Sequence, residues 1–353
     1  MKTYTISNNS SILEAYKKID SISSMGSAVV FVIDDNLQVI GSLSDGDCRR
    51  ALIRGCTLES SVIEAMYKNF IYLESGHYNI ATISKIKELG IKFVPELDSE
   101  KHLVKVHDFS NGKTFIPVDA VLMAGGKGER LRPLTLDTPK PLLKVDGRPI
   151  IDYNVDNLLR CGINHINITV NYLADQIENH FDIKNKKDNA LYAYIHEPKF
   201  LGTMGAVQFV PKWYNDTVLL MNSDLFTNID LELFYRQFIE NKADMSVACV
   251  PYDVNIPYGI FEFDEKHRVV GLTEKPSYNY YANAGIYLFK RELVDLIPKD
   301  VVFHSTDMLS MLLKKGKKVT HYSITGYWID IGKPEDFKKV QEFARNINMS
   351  RGV

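Results

Sequence analysis

The sequence predicts an α/β protein built on a mixed, mostly parallel sheet, preceded by a smaller α+β module. Three observations carry that prediction. From residue 116 onward, short apolar runs alternate with longer amphipathic stretches, the pattern of repeated strand–helix units. The first of those runs opens directly into a glycine-rich loop followed by basic residues. Residues 1–115 carry a different, shorter pattern of strand, turn, strand and helix, partly echoed once.

In the N-terminal part, Val29 to Ile33 reads as a buried strand, Asp34-Asp35-Asn36 as a turn and Gln38 to Leu43 as a second strand. Ser44-Asp45-Gly46-Asp47 then caps a helix carrying Arg49 to Ile53, because Ser and Asp side chains satisfy the free N–H groups at a helix start. The stretch Lys92 to His107 repeats the strand–turn–strand order in degenerate form, so residues 1–115 read as a tandem repeat. Ser110-Asn111-Gly112-Lys113 is short and polar and makes a linker, leaving 116–353 as the second domain.

There the expected strands are Val118–Met123, Ile166–Val170, Tyr192–His196, Val218–Met221, Met245–Val250 and Ala284–Phe289. The expected helices include Ile150–Cys161, Leu173–Phe181, Leu231–Asn241 and Thr306–Lys315. Sheets of this kind take ligands at the carboxyl ends of their strands, where the loop Gly125-Gly126-Lys127-Gly128 falls. Glycines let backbone N–H groups approach phosphate oxygens, and Arg130, Arg132 and Lys140 follow closely to neutralise their charge. The spacing is neither the dinucleotide fingerprint nor a Walker A loop.

The whole stretch VLMAGGKGERLRPLTLDTPKPLL, Val121 to Leu143, resembles the signature of the sugar-1-phosphate nucleotidyltransferases. The resemblance implies a Rossmann-like, GT-A-like domain. In it Leu122, Ala124, Gly125, Gly126 and Gly128 wrap a nucleoside triphosphate, and Arg130 and Lys140 hold its phosphates. Glu129 stands where the family usually has Thr; a carboxylate is unwelcome beside a triphosphate, so it is expected to face solvent. Asn222-Ser223-Asp224, at the end of an apolar run, resembles the family's NGD, with Ser for Gly. Trp328-Ile329-Asp330-Ile331-Gly332-Lys333-Pro334 resembles its WxDxGxP. The resemblance makes Asp224 and Asp330 the ligands of a catalytic Mg2+ and adds Asn222 to the nucleotide site. Taken alone, an aspartate such as Asp224 more often caps a helix or fills a turn.

On the acceptor side, Thr273-Glu274-Lys275-Pro276 and Asn283-Ala284-Gly285-Ile286-Tyr287 resemble the EKP and NAGIY motifs, and Tyr258-Gly259 a loop lying against the sugar. That assigns Lys275 to the phosphate of a sugar 1-phosphate, and Tyr258, Gly259, Glu274 and Asn283 to the sugar. Glu197 to Gly205 resembles the segment bordering base and ribose, which brings in Glu197, Gly202 and Thr203; a plain tight loop explains the same residues. The family resemblance covers Ile116 to about Phe337, with no hexapeptide repeat of a left-handed β-helix after it.

The N-terminal repeat resembles a tandem CBS pair, a module that binds adenine nucleotides or serves as a dimerisation scaffold. Ser44 and Asp47 are its candidate ligand contacts, although capping explains both. A homodimer or higher homo-oligomer is expected. The paired glycines with EPKFLGT are most similar to guanylyltransferases acting on hexose 1-phosphates. A CBS pair without a β-helix resembles, among these, the glucosamine-1-phosphate guanylyltransferases of legionaminic acid synthesis. Mannose 1-phosphate, a heptose phosphate or another NTP is the alternative, and a non-catalytic nucleotide sensor is the rival from another class.

Bulk composition narrows the field. A formal net charge of −2 offers no global attraction to nucleic acid or anionic membrane, so a phosphate site must be local. No apolar stretch approaches a membrane span, and the polar start MKTYTISNNSS lacks a signal peptide's hydrophobic segment. The four cysteines are scattered and the nine histidines form no ligand spacing, as expected of a cytoplasmic enzyme with free thiols and no structural zinc.

Overall fold

The computed structural model describes residues 3–23, 28–75, 80–110, 114–188 and 190–350. The chain divides into two compact units, Met1–Phe115 with Arg160–Gly162, and Ile116–Leu159 with Ile163–Val353. Of the expected linker, only Ser110 falls among the described residues.

The first unit runs β1 (Thr5–Ser7), α1 (Ile12–Ser23), β2 (Val29–Ile33), β3 (Val39–Ser44), α2 (Asp45–Ile53), α3 (Val62–Ala65), β4 (Leu73–Glu74), α4 (Ile80–Glu88), β5 (Phe93–Leu97) and β6 (Leu103–Asp108). Helix α1 forms because Ile12, Ala15, Ile19 and Ile22 fall on one face and are buried together. Ser44 and Asp47 close a reciprocal capping box at the start of α2. The strands make two three-stranded sheets, β1-β2-β3 and β4-β5-β6. In each, the first pair is parallel and the second antiparallel, with a bulge near the end of the middle strand.

The echo is closer in structure than in sequence. Asp34 Oδ1 accepts from the N–H groups of Asn36 and Gln38, and Asp98 Oδ1 from those of Glu100 and His102. Between them Leu37 and Lys101 both take the left-handed conformation at φ 64°. The turn repeats because an aspartate caps its own backbone, while the intervening side chains are free to vary.

The second unit comprises β7 (Asp119–Met123), β8 (Lys144–Val145), β9 (Arg148–Pro149), α5 (Ile150–Arg160), β10 (His165–Val170), α6 (Ala174–Asp188), β11 (Leu191–His196), α7 (Gly202–Gly205), β12 (Thr217–Asn222), β13 (Leu225–Thr227) and α8 (Leu231–Glu240). It continues through β14 (Met245–Asn255), β15 (Ile260–Phe263), β16 (Val269–Thr273), β17 (Ser277–Lys290), α9 (Ser305–Lys314), β18 (Val319–Ser323), β19 (Trp328–Asp330) and α10 (Pro334–Ser350). Seven strands form the main sheet in the order β11-β10-β7-β12-β17-β14-β18. Only β17 runs against its neighbours; every other pairing is parallel. One side chain layer around Val121, Leu220, Phe289, Met308 and Leu312 forms a core of this unit. A second core of Leu131, Leu143, Ile150, Phe226, Ile331 and Val340 packs behind the glycine loop and β19.

Two strands are much longer than expected. Beyond Val250, and before Ala282, β14 and β17 leave the sheet and pair with each other as a ribbon. Both its faces are solvent-facing, so no continuous buried run marks it in the sequence.

Candidate active site

Strands β7 and β12 lie side by side and end together, so the chain segments leaving them meet. At this edge Ala124, Gly125, Gly126, Gly128, Arg130, Lys140 and Asp224 line one cleft of about 620 Å3. Met123, Lys127, Glu129, Pro141, Asn171, Phe200 and Ser223 complete its walls. Gly125 is required by close approach: a Cβ there would stand 2.9 Å from Glu197 Oε1 and 3.5 Å from the Asn171 nitrogen. Glu129, expected to face solvent, is mostly exposed and 3.9 Å from Arg132, yet it also lines the rim of this cleft.

Ser223, the departure from NGD, has a structural use. It is buried, and its hydroxyl donates to the Met123 carbonyl at 2.5 Å, tying the ends of β7 and β12 together. Asn154, reaching up from α5, donates to the carbonyls of Ser223 and Leu225 at 3.3 and 3.0 Å. The turn carrying Asp224 is thus held from both sides, and Asn154 is a positioning residue that sequence reasoning missed. Its only sequence signal is a polar residue on the apolar face of a helix.

Antiparallel pairing of β13 with β19 sets Leu225 opposite Asp330, which delivers the second aspartate beside the first. Lys140 Nζ donates to Asp224 Oδ2 and lies 4.0 Å from Asp330 Oδ1. The other Asp224 oxygen is buried with no hydrogen-bond partner among the described residues. Burial and the neighbouring Asp224 charge raise the Asp330 carboxyl above its ordinary range, against the opposing pull of Lys140 and Arg130. An orphaned carboxylate oxygen next to a second, destabilised carboxylate is a pair of donors that a cation would stabilise. Mg2+ takes one or two carboxylates and fills its octahedron from phosphates and water, and this donor set fits it. Among the described residues no group of three or more His, Cys, Asp or Glu side chains is arranged to hold a metal ion.

The remaining expected residues are placed less directly. Leu122 is fully buried in β7, one residue before the cleft wall begins. Glu197 borders the cleft at Gly125 and accepts from the Leu201 N–H at 3.2 Å; burial raises its carboxyl above the ordinary range. Thr203 Oγ1 accepts from the Ser305 N–H at 3.0 Å, and Gly202, at φ 82°, packs on the Phe303 carbonyl. That pair therefore anchors the start of α9, the plain-loop reading of the segment. Asn222 lies against Gly285, where a Cβ would come within 2.6 Å of its amide nitrogen. Asn283 donates to the Tyr287 hydroxyl and accepts from the Gly285 N–H. Trp328 Nε1 donates to the Ala284 carbonyl at 2.9 Å, so the strand bearing Asp330 is fastened to the same stretch of β17.

Tyr258, Gly259, Glu274, Lys275 and Asn283 are not among the cleft-lining residues. Gly259 and Glu274 meet each other, a Cβ on the former standing 2.8 Å from Oε2 of the latter. Lys275, exposed at the next position, holds φ 45°, a strained conformation for a side chain of its size. Ser44 and Asp47 line a separate cleft of about 320 Å3 in the first unit, but there they hydrogen-bond to each other and to their own backbone.

Comparison with known proteins addresses the second unit. A mannose-1-phosphate guanylyltransferase of Mycobacterium tuberculosis is 34% identical over 225 residues, 62% of this chain and 62% of that protein. The bifunctional protein GlmU of Methanocaldococcus jannaschii is 29% identical over 233 residues, 64% of this chain and 54% of that protein. Among solved structures, HddC from Yersinia pseudotuberculosis superimposes with a TM-score of 0.50 at 27% identity, over 64% of this chain and 99% of that chain. The chain spans about three fifths or less of the length of the curated relatives it matches. The family match runs over residues 119–347, from the first strand of the main sheet to its last helix, and so takes in every wall of the cleft. With its fold, its glycine-rich loop and its aspartate pair inside that one match, this chain belongs to the nucleotidyl transferase family.

Proposed function

We propose that the protein transfers a nucleotidyl group from a nucleoside triphosphate to a sugar 1-phosphate, releasing pyrophosphate, with GTP as donor and glucosamine 1-phosphate as acceptor. The observation that carries the reading is the Lys140–Asp224–Asp330 cluster facing a glycine loop across one cleft.

An oxygen of the acceptor phosphate attacks the α-phosphorus in line; the new O–P bond forms as the bond to the pyrophosphate oxygen breaks. Such a transfer needs alignment and positive charge more than a protein nucleophile. Backbone groups of Gly125 to Gly128 cradle the triphosphate, and Arg130 and Lys140 neutralise it. Lys275 takes the acceptor phosphate, while Tyr258, Gly259, Glu274 and Asn283 face the sugar. Asp224 and Asp330 would hold Mg2+, which when bound offsets charge on the reacting phosphates. We take Glu197, which borders the cleft at Gly125, to accept from the N–H donors of a guanine edge, a reading supported by the guanylyl transfer printed in the name of the mycobacterial relative. That name also favours mannose 1-phosphate as the second reading for the acceptor.

For the first unit we take the repeated half-sheets to be a CBS pair whose cleft accepts an adenine nucleotide. Its lining of Phe31, Tyr67, Phe70 and Phe93 suits a flat base.

The test is pyrophosphate release with magnesium, crossing the four ribonucleoside triphosphates and dTTP with glucosamine, mannose, glucose and N-acetylglucosamine 1-phosphates. Turnover with GTP and glucosamine 1-phosphate is the expected result. Turnover in the mannose column instead would correct the acceptor, and a silent matrix with tight GTP binding would favour the non-catalytic sensor.

A further inference from the structure

Lys140 stands between two sets of partners. Its side chain is 11% exposed, and its ammonium donates to Asp224 Oδ2 while lying 4.0 Å from Asp330 Oδ1. Its root packs on the glycine loop, since a Cβ on Gly128 would stand 3.2 Å from Lys140 Cβ. Pro139 and Pro141 flank it in a short 3-10 turn, and both are buried, so movement is left to the flexible four-carbon stem. Arg130 leans toward the same pair: its guanidinium nitrogens lie 3.7 Å from where a Gly332 Cβ would sit, and Asp330 Oδ2 lies 3.5 Å from that point. Both cations that the family resemblance assigns to phosphate are therefore turned toward carboxylates, where they oppose the repulsion between Asp224 and Asp330.

We infer that Lys140 gates the metal site: in the free protein its ammonium is the counter-ion of Asp224 and Asp330, and it gives them up to a divalent cation only as a polyphosphate takes the ammonium instead. The inference rests on the triphosphate and metal roles proposed above. Charge sets the order. A divalent cation on the same oxygens would face an ammonium already seated there, and like charges at contact range repel strongly in a part-buried site. Drawing the ammonium away with nothing in its place would leave two adjacent carboxylates uncompensated, which is equally unfavourable. A polyphosphate resolves both conflicts, because its oxygens attract the ammonium and also supply the further ligands that Mg2+ favours. Metal and triphosphate then strengthen each other's binding through one shared lysine, a positive coupling between two ligands. The exchange asks for the rotation of one stem and no movement of the backbone.

The experiment measures binding of Mn2+ alone, without nucleotide, to the full chain, with free Mn2+ counted by its paramagnetic resonance signal. Mn2+ takes the same oxygen donors as Mg2+. The parent is set beside Lys140→Gln, which keeps a hydrogen-bond donor for Asp224 but loses the charge, and Lys140→Arg, which keeps the charge. The parent and Lys140→Arg are expected to bind Mn2+ weakly, and Lys140→Gln about tenfold more tightly or better. Adding Asp330→Asn to Lys140→Gln is expected to abolish the gain. Melting curves check each variant, and Lys140→Met, with an apolar stem of similar length, repeats the measurement should the glutamine variant not fold. A parent that binds Mn2+ as tightly as Lys140→Gln overturns the gate and leaves the metal site standing. A gain shared by Lys140→Arg traces the effect to geometry instead of charge and overturns it too, as does a gain that survives Asp330→Asn. No Mn2+ on any of these proteins overturns the gate and the metal assignment together.

Discussion

At the residue scale, the cleft is organised around one lysine and two aspartates. Lys140 is mostly buried and satisfies one oxygen of Asp224; the other has no partner among the described residues, and Asp330 is raised by burial and by its neighbour. Such a cluster costs folding energy unless a ligand completes it, which is common at sites of function. Asp224→Asn keeps the shape and removes the charge. It is expected to lower turnover by about a thousandfold or more while moving the thermal midpoint by only a few degrees. Steady-state kinetics beside a melting curve checks both, and turnover near the parent's would remove Asp224 from the metal role. None of the four cysteines lines this cleft; Cys48, Cys161 and Cys249 are buried, and burial pushes the Cys48 thiol up to about 11, where it is inert at neutral pH.

At the scale of elements, the site depends on how strand ends are fastened. Asp244, just before β14, accepts from Lys290 Nζ at 2.7 Å and from the Lys318 N–H at 2.9 Å, linking three strands of the main sheet. The hydrogen bond from Lys290 holds its carboxyl below the usual carboxylate range. A depressed folded-state value stabilises the protein above the ordinary range and loses that contribution as pH falls through the depressed value. Asp244→Asn is therefore expected to cost about 1–3 kcal/mol at neutral pH, with the gap to the parent narrowing below about pH 4. Denaturant unfolding at pH 7 and pH 3.5 measures it. A gap of the same size at both would assign the loss to geometry alone.

At the scale of the whole molecule, two units of different build share one chain, and the first makes its own prediction. If its aromatic cleft takes an adenine nucleotide, AMP, ADP or ATP should raise the thermal midpoint by ligand linkage and change the rate of pyrophosphate release. If all three leave both quantities unchanged, the CBS-like repeat is an assembly module. No helix among the described residues is long and apolar enough to cross a membrane.

The sequence by itself determined the class of fold, six of the seven strands of the main sheet, and half of the residues that line the cleft. Each of those rests on local chemistry: buried apolar runs, glycines beside basic residues, an aspartate at a strand end. It also exposed the N-terminal repeat, although only the structure showed that both copies share the same aspartate-capped turn, because backbone geometry survives where side chains vary. Tertiary structure alone decided that Asp330 meets Asp224, since the two are joined by the pairing of β13 with β19 across a long stretch of chain. It decided that Asn154 braces the Asp224 turn, and that Thr203 anchors a helix with the hydroxyl that also suited a ligand. It revealed the arm, whose strands are solvated on both faces and so leave no buried period to read. Contacts near in sequence write themselves into composition and spacing, whereas those made across the fold depend on register, and register exists only once the sheet has formed.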